Sequence, residues 1–357
     1  MALRRIFASL AFFSALASTT PALAADETDI TPFLHFRAGI GYRGQFSQGQ
    51  YVLDGERIAA REDERQYTEF EGRFGAWYGL ETYLRITHVN WDRTRWQDVG
   101  FNGGIPPPGG PLQVEKRKGV GDVVVGGRFA ILSEQRKSGD VSTWTVETNF
   151  KIPGSFEVYP STDPGDAESP GGTPGFEWMT KTSFSKRVRF FDPYVSFFYL
   201  HKGATSSPKE DVGSFNLADQ WGTFFGTEVV GFERPADDLR FSGDVGLGWR
   251  YIMDGETPAN RFLYGPDSGA TAPNVPPSNV VKEQGYIRYD MRLGFFYQLQ
   301  KHVQARGHVT YALPTEHYIE SYDGQLGNSA NDTRSGAKVR NKEFTDFGFD
   351  FHMLFVY

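Results

Sequence analysis

Residues 239–252 read LRFSGDVGLGWRYI. Phe241, Val245, Leu247, Trp249 and Tyr251 fall on one face, and Ser242, Asp244, Gly246, Gly248 and Arg250 on the other. A period of two is the mark of a β-strand with one apolar and one polar side. The same alternation recurs along the chain. Twelve segments carry it, near 31–43, 66–78, 80–96, 119–133, 141–152, 176–186, 193–201, 218–232, 239–252, 285–299, 303–313 and 343–357. In 285–299, Tyr289, Met291, Leu293, Phe295 and Tyr297 oppose Arg288, Asp290 and Arg292. The segments 80–96 and 193–201 are less regular, with apolar residues on both faces.

The connections alternate in length. Long ones fall near 44–65, 97–118, 153–175, 202–217, 253–284 and 314–342, and they hold runs such as GGIPPPGGP at 103–111 and NVPPSN at 274–279. Short ones are Tyr78-Gly79 and the stretches 133–140, 186–192, 233–238 and 300–302. Twelve strands threading up and down need this alternation, with all long loops at one end and all turns at the other. That is the plan of an all-β transmembrane antiparallel up-and-down barrel with long outer loops and short periplasmic turns. Lipid offers no hydrogen-bond partners, so a spanning sheet must close on itself and turn its apolar face outward. Each span needs roughly 9–11 tilted residues, and these segments reach that length. A soluble sandwich or lipocalin-like barrel would have shorter loops, less biased to one end.

Composition agrees with one apolar face per strand. Hydrophobic residues make up 39% and aromatics 15%, with 41 glycines. Beyond the first residues no run of 18 apolar side chains occurs, so no helix is expected to span a membrane. The opening MALRRIFASLAFFSALASTTPALA has a basic start at Arg4 and Arg5, an apolar core and a small-x-small site at Ala22-Leu23-Ala24. It reads as a secretory leader, residues 1–24, removed to leave a barrel over 25–357. The whole chain carries 37 basic and 44 acidic residues, a net charge of −7; without Arg4 and Arg5 it is 35 against 44, or −9. An acidic exported chain is not expected to bind nucleic acid. Cysteine is absent, so disulfides play no part.

The final residues GFDFHMLFVY resemble the C-terminal strand by which outer-membrane barrels are recognised by their assembly machinery. Such strands end on an aromatic, with apolar residues at alternate positions before it. Here those are Phe347, Phe349, Phe351, Met353, Phe355 and Tyr357. The last strand is then expected to pair with the first and close the cylinder. A finer resemblance starts at GVGDVVVGGRFAIL, 119–132, and continues through KIPG, 151–154, and FEWMTKTSFSK, 176–186. It is similar to the MetA-pathway of phenol degradation family, transporter-like outer-membrane barrels found near genes for aromatic or hydrocarbon catabolism. It covers about 119–203. The chain departs from the family by lengthening the loop after KIPG into SFEVYPSTDPGDAESPGGTPG.

If the apolar face meets lipid, the other face lines a lumen. On the last four strands it carries Asp244, Arg250, Arg288, Asp290 and Arg292, then Arg306, His308, Asp346, Asp350 and His352. Rings of side chains set pore selectivity, so these residues outline a polar conduit with walls of both signs. The same residues would equally suit an ion-pair network filling a closed barrel, because twelve strands lie between filled and open sizes. Asp350 and His352 share a face, but a surface protease would hold an acid–His couple at the outer rim. His88 could face lipid in THVNW, yet no His-x-Ser follows, as a barrel phospholipase would need. Seven scattered histidines with no close pair give no metal site. The run STDPGDAE, 161–168, has oxygen ligands for Ca²⁺, though a solvated loop looks the same. Gly-x-Gly-Asp at 119–122 precedes a strand, so it is not a phosphate cradle; its glycines suit a bulge or close packing. Trp77, Trp91, Trp96, Trp178 and Trp249 are expected in interfacial girdles.

The expected protein is a porin-like channel or transporter-like barrel of the Gram-negative outer membrane, for passage or binding of small molecules, hydrophobic or aromatic ones among them. Its partners are outer-membrane lipid, the barrel assembly machinery and a small-molecule ligand; no cofactor and no metal is expected. The alternatives are a lipase- or protease-like barrel enzyme, and a structural or assembly barrel whose loops bind a partner.

Overall fold

A computed structural model describes residues 30–53, 56–97, 113–133, 142–157, 169–207, 212–234, 239–258, 280–300, 302–320 and 338–357. The leader, the runs at 103–111 and 274–279, and the STDPGDAE run lie outside the described residues.

Twelve long strands form one antiparallel sheet. They are β1 (Phe36–Leu53), β2 (Glu56–Trp77), β3 (Leu80–Gln97), β4 (Gln113–Leu132), β5 (Thr143–Ile152) and β6 (Glu177–Ser185). Then follow β7 (Phe191–Lys202), β8 (Gln220–Arg234), β9 (Leu239–Ile252), β10 (Tyr286–Gln300), β11 (Val303–Pro314) and β12 (Lys338–Val356). Each pairs with its neighbours in sequence. β12 also pairs with β1, from Arg37↔Val356 to Val52↔Arg340, which closes the cylinder. The seam ends on reciprocal bonds: Phe36 N–H donates to Tyr357 O at 3.1 Å, and Tyr357 N–H donates to Phe36 O at 2.8 Å. A closed ladder leaves no edge, which is what a bilayer demands. Among the described residues there is no helix.

The alternation sets the facing. In β10, Tyr289, Met291 and Leu293 are 50%, 47% and 64% exposed, whereas Arg288 and Arg292 on the other face are 5% and 6% exposed. Large apolar side chains outside and charges inside is the reverse of a soluble protein. Aromatic side chains cluster at both ends of this band. At the short-turn end Phe33 packs on Tyr78 at 4.7 Å and Trp144 on Phe184 at 5.3 Å. At the long-loop end Phe150 meets Trp178 at 6.4 Å and Trp221 meets Trp249 at 5.0 Å. Each indole has a polar edge to satisfy at the lipid boundary: Trp178 donates to the Thr148 hydroxyl at 2.9 Å and Trp144 to that of Thr182 at 2.8 Å. Trp77 is exposed in the first cluster; the Trp96 side chain lies outside the described set. Gly79 takes φ 78° in the two-residue turn between β2 and β3, a conformation that favours glycine.

Three expectations are corrected. The first strand begins at Phe36, not near 31, and Leu34 lies in the preceding turn. The stretch 44–65 is not a long loop: β1 and β2 run through it in register, with only 54–55 between them. β4 and β12 likewise begin earlier than expected, at Gln113 and Lys338. The reason is solvent. On β2 the outward residues change from Phe74 and Phe70 to Gln66, Glu64 and Glu62. Beyond the bilayer both faces are polar, so hydrophobic alternation stops while the hydrogen-bonded ladder goes on. β5 and β6, with 10 and 9 residues, are no longer than a span, whereas β1 to β4 have 18 to 22 and project past the lipid.

Candidate functional site in the barrel interior

A belt of charge crosses the interior. On β2, Glu71 pairs with Arg73, and Arg85 of β3 reaches Glu71 at 3.3 Å. Arg73 lies 3.8 Å from Glu81, which accepts from the Thr31 backbone at 2.8 Å and from its hydroxyl at 2.5 Å. Those bonds fix the segment before β1 inside the short-turn end, where Ile30 and Thr31 are buried. Further round, Glu147 of β5 takes a 2.6 Å bond from the Tyr83 hydroxyl, with Arg128 at 3.0 Å and Lys181 at 4.0 Å. In the other direction Glu69 pairs with Arg43 at 3.4 Å and His352 at 3.7 Å. His308 stands between Asp350, at 3.5 Å, and Asp244, at 4.0 Å. Asp244 accepts from Arg292 at 2.9 Å and from the Tyr194 hydroxyl at 3.0 Å. The Arg292 guanidinium also lies 4.3 Å from the centre of the Phe224 ring of β8. All twelve strands thus contribute a side chain to the belt.

Each of the ten side chains expected on the polar face points inward. Asp244, Arg292, His308, Asp350 and His352 belong to the belt. Arg250, Arg288, Asp290 and Asp346 form a second cluster nearer the long loops. There Asp290 binds Arg250 at 3.0 Å and Arg288 at 2.7 Å, and Arg288 also binds Asp346. Arg306, 1% exposed, lies against the inward Phe296 ring at 5.3 Å. On the outward face of β12, Phe349 packs at 6.0 Å from Tyr42 of β1 and Phe351 is exposed. Met353 and Phe355 are half-buried, and Tyr357 is exposed at the end of the seam.

Sequence reasoning missed an inner segment. Residues 153–157 and 169–175, on either side of a stretch outside the described residues, meet beside β4, where Ser169–Pro170 pairs in parallel with Arg117 and Lys118. Asp122 is the clasp. Its Oδ1 accepts from the amides of Gly154 and Thr173, both at 3.0 Å, and its Oδ2 from the Thr173 hydroxyl at 2.9 Å. Lys151 reinforces it, donating to Thr173 at 2.6 Å and to Glu177 at 2.9 Å. Arg117 adds bonds to Gly172 O at 3.3 Å and Glu157 O at 2.9 Å. The glycines now have a reason. A Cβ on Gly154 would stand 2.2 Å from Gly121 O, and one on Gly171 2.7 Å from Gly119 O. Gly-x-Gly-Asp and KIPG are therefore two sides of one backbone contact, with a β3–β4 register shift beside them. The signal was present as glycines at 119, 121, 154, 171 and 172, but nothing in a single sequence says that they meet.

Two cavities flank Gln45 on the long-loop side of the belt. One, about 230 Å³, lies between Arg43, Tyr67, Val124, Lys151, Thr173 and Lys202. The other, about 280 Å³, lies between Ser47, Arg61, Tyr286, Arg288, His317 and Asn341. At the outer end of β7 and β8, Asp219 accepts from the Tyr199 hydroxyl at 2.6 Å and the Lys202 amide at 2.9 Å, with His201 Nδ1 at 3.0 Å. This acid–His couple, also missed in the sequence, faces outward beside the girdle; among the described residues no serine or threonine hydroxyl bonds to His201. No group of three or more metal-binding side chains occurs among the described residues.

No protein-family model matches the sequence, and no curated protein matches it. Among solved structures, an outer-membrane channel from Pseudomonas putida F1 is similar over 94% of this chain and 100% of that one, with TM-score 0.53 and 9% identity. The TodX deltaS2S3 mutant monoaromatic hydrocarbon channel matches over 96% and 95%, with TM-score 0.38 and 7% identity. The outer membrane protease OmpT from Escherichia coli matches over 94% and 100%, with TM-score 0.32 and 9% identity. The last two are too distant to carry an argument. The first shows the fold. Together with the closed ladder, the apolar band and the two girdles, it makes the chain a barrel of the bacterial outer membrane.

Proposed function

We propose that the barrel is a channel for small molecules. The carrying observation is the interior itself: a charged wall of both signs around two cavities on the side of the long loops. Cavities against fixed charges give a solute places to dwell, and paired charges of both signs impose no strong ion preference. The solutes that suit the resemblance to the MetA-pathway of phenol degradation family are small and aromatic or otherwise apolar. An enzyme reading finds little support. The His308 and His352 contacts are tied into the belt, His317 is held by Glu283 and Asn341, and among the described residues no serine or threonine hydroxyl bonds to the outward His201–Asp219 couple. The same reading takes Phe349, Phe351, Met353, Phe355 and Tyr357 as the address for the assembly machinery, supported by their array along the seam strand. Liposome swelling tests the channel. Vesicles holding the refolded barrel should swell in isotonic solutions of small neutral solutes and not of larger sugars. Swelling no faster than protein-free vesicles would remove the reading.

A further inference from the structure

We propose that the 230 Å³ cavity binds a small organic monoanion with an apolar body, such as an aromatic carboxylate, and that Lys202 receives its charge. This rests on the reading that small molecules enter the barrel, and goes on to name their class.

The argument rests on the one lining cation that has no ion pair among the described residues. Four carboxylates line this cavity, and each has a cationic partner: Glu69 has Arg43, Asp92 has Arg65 at 3.0 Å, and Asp122 and Glu177 share Lys151 at 3.7 and 2.9 Å. Of the four lining cations, Arg43 and Lys151 are held in those pairs and Arg85 is held by Glu71. Lys202 is the fourth. It is half-buried, and its ammonium makes no ion pair within 4 Å among the described residues. Glu177 and Glu283 act on it only from further away. Its backbone amide is fixed by Asp219, so the base of the side chain is held in place. Asp122 and Glu177 share one lysine, so the lining as a whole is neutral, and Lys202 is the lining cation whose ammonium is left without an ion pair among the described residues.

The remaining lining selects the rest of the molecule. Val89 and Val124 are buried, and Leu217 and Pro174 complete an apolar wall. Gln45 is 7% exposed, and its Oε1 is buried without a hydrogen-bond partner. An unmet acceptor in a buried site is costly until a donor arrives, and a ring hydroxyl would supply one. A volume of about 230 Å³ is below the roughly 300–1,000 Å³ of drug-sized sites, which limits the guest to about one ring. The 280 Å³ cavity makes the contrast. Its arginines are all matched, Arg61 by Asp63, Arg65 by Asp92 and Arg288 by Asp290 and Asp346, and Glu283 is matched by His317.

Calorimetric titration of the detergent-solubilised barrel tests the proposal with four probes. Benzoate should bind saturably and at least tenfold more tightly than benzyl alcohol; benzylamine should not bind, and acetate, which leaves the apolar wall unused, should bind less tightly than benzoate. Lys202→Gln should abolish the preference for benzoate over benzyl alcohol, and Lys202→Arg should keep it. Neither variant breaks an ion pair, and heat-modifiable migration on gels checks that both fold. Equal affinity for benzoate and benzyl alcohol, or an unchanged preference in Lys202→Gln, would overturn the proposal. Liposome swelling separates the two readings. Swelling without benzoate preference removes only the ligand class. Benzoate binding lost in Lys202→Gln, without swelling, upholds the site and removes the channel.

Discussion

Arg292 is 6% exposed inside the barrel, and Leu293, the next residue, is 64% exposed outside it. One step along β10 exchanges a charged interior for hydrocarbon. Arg292→Ala leaves Asp244 buried without its guanidinium, and losing one partner of a buried pair costs roughly 3–5 kcal/mol. Equilibrium unfolding in urea should show a drop of that order; a change below about 1 kcal/mol would contradict the belt as drawn. Leu293→Arg should cost roughly 2–4 kcal/mol by the same measurement, the penalty for arginine at mid-membrane depth. Tolerance of Arg at 293 would reverse the facing of β10. At the outer rim the relevant variable is pH. Partial burial pushes the Asp219 carboxyl up, but the Tyr199 hydroxyl, the Lys202 amide and His201 outweigh it and hold the group below its ordinary value. A lowered acid stabilises the fold above its unfolded pKa of about 3.9 and loses that contribution as pH falls through the lowered value. The Lys202 amide should therefore be protected from hydrogen exchange at pH 5 and lose protection toward pH 2. Undiminished protection at pH 2 would show that Asp219 is not the clamp.

Among the elements, the inner segment was least legible in the sequence and bears most on function. The twelve spans could be read because lipid imposes one rule on every strand: apolar out, polar in. That rule alone sets Phe241, Leu247 and Trp249 against Asp244 and Arg250. It failed at 44–65 because water sits on both sides there, and the strands continue under a pattern that looks like loop. It was silent at 153–175 for another reason. Gly154 against Gly121, and Thr173 against Asp122, are contacts between residues 33 and 51 positions apart, and period-two reading sees only neighbours. The clasp makes its own prediction. Asp122→Ala removes three bonds that converge on one carboxylate, each worth roughly 1.5–3 kcal/mol when the acceptor is charged. The barrel ladder is untouched, so the variant should fold, while the Gly154 and Thr173 amides exchange faster. Unchanged exchange would mean that Arg117 and the Ser169–Pro170 pairing hold the segment without Asp122.

At the scale of the whole molecule, closure and charge work together. The sheet closes through β1 and β12, which frees the interior from any need to be apolar, and the interior fills with paired ions instead. The belt, the segment held by Asp122 and the buried Ile30-Thr31 narrow the interior around the wall, beside β4 and at the short-turn end. The ten inward side chains were legible as a list on alternate positions. Their division into a belt, a second cluster and an Arg306 set against Phe296 and Gln304 was not, because pairing across a barrel depends on stagger between strands far apart in sequence. The central claim is the proposed channel, that this narrowed interior still conducts; releasing the segment by removing Asp122 is expected to widen it. Single-channel recording in planar bilayers, with the wild-type barrel and Asp122→Ala side by side, tests that claim most directly. Small discrete steps are predicted for the wild type and larger ones for the variant. Two folded barrels that pass no current at any applied voltage would contradict it.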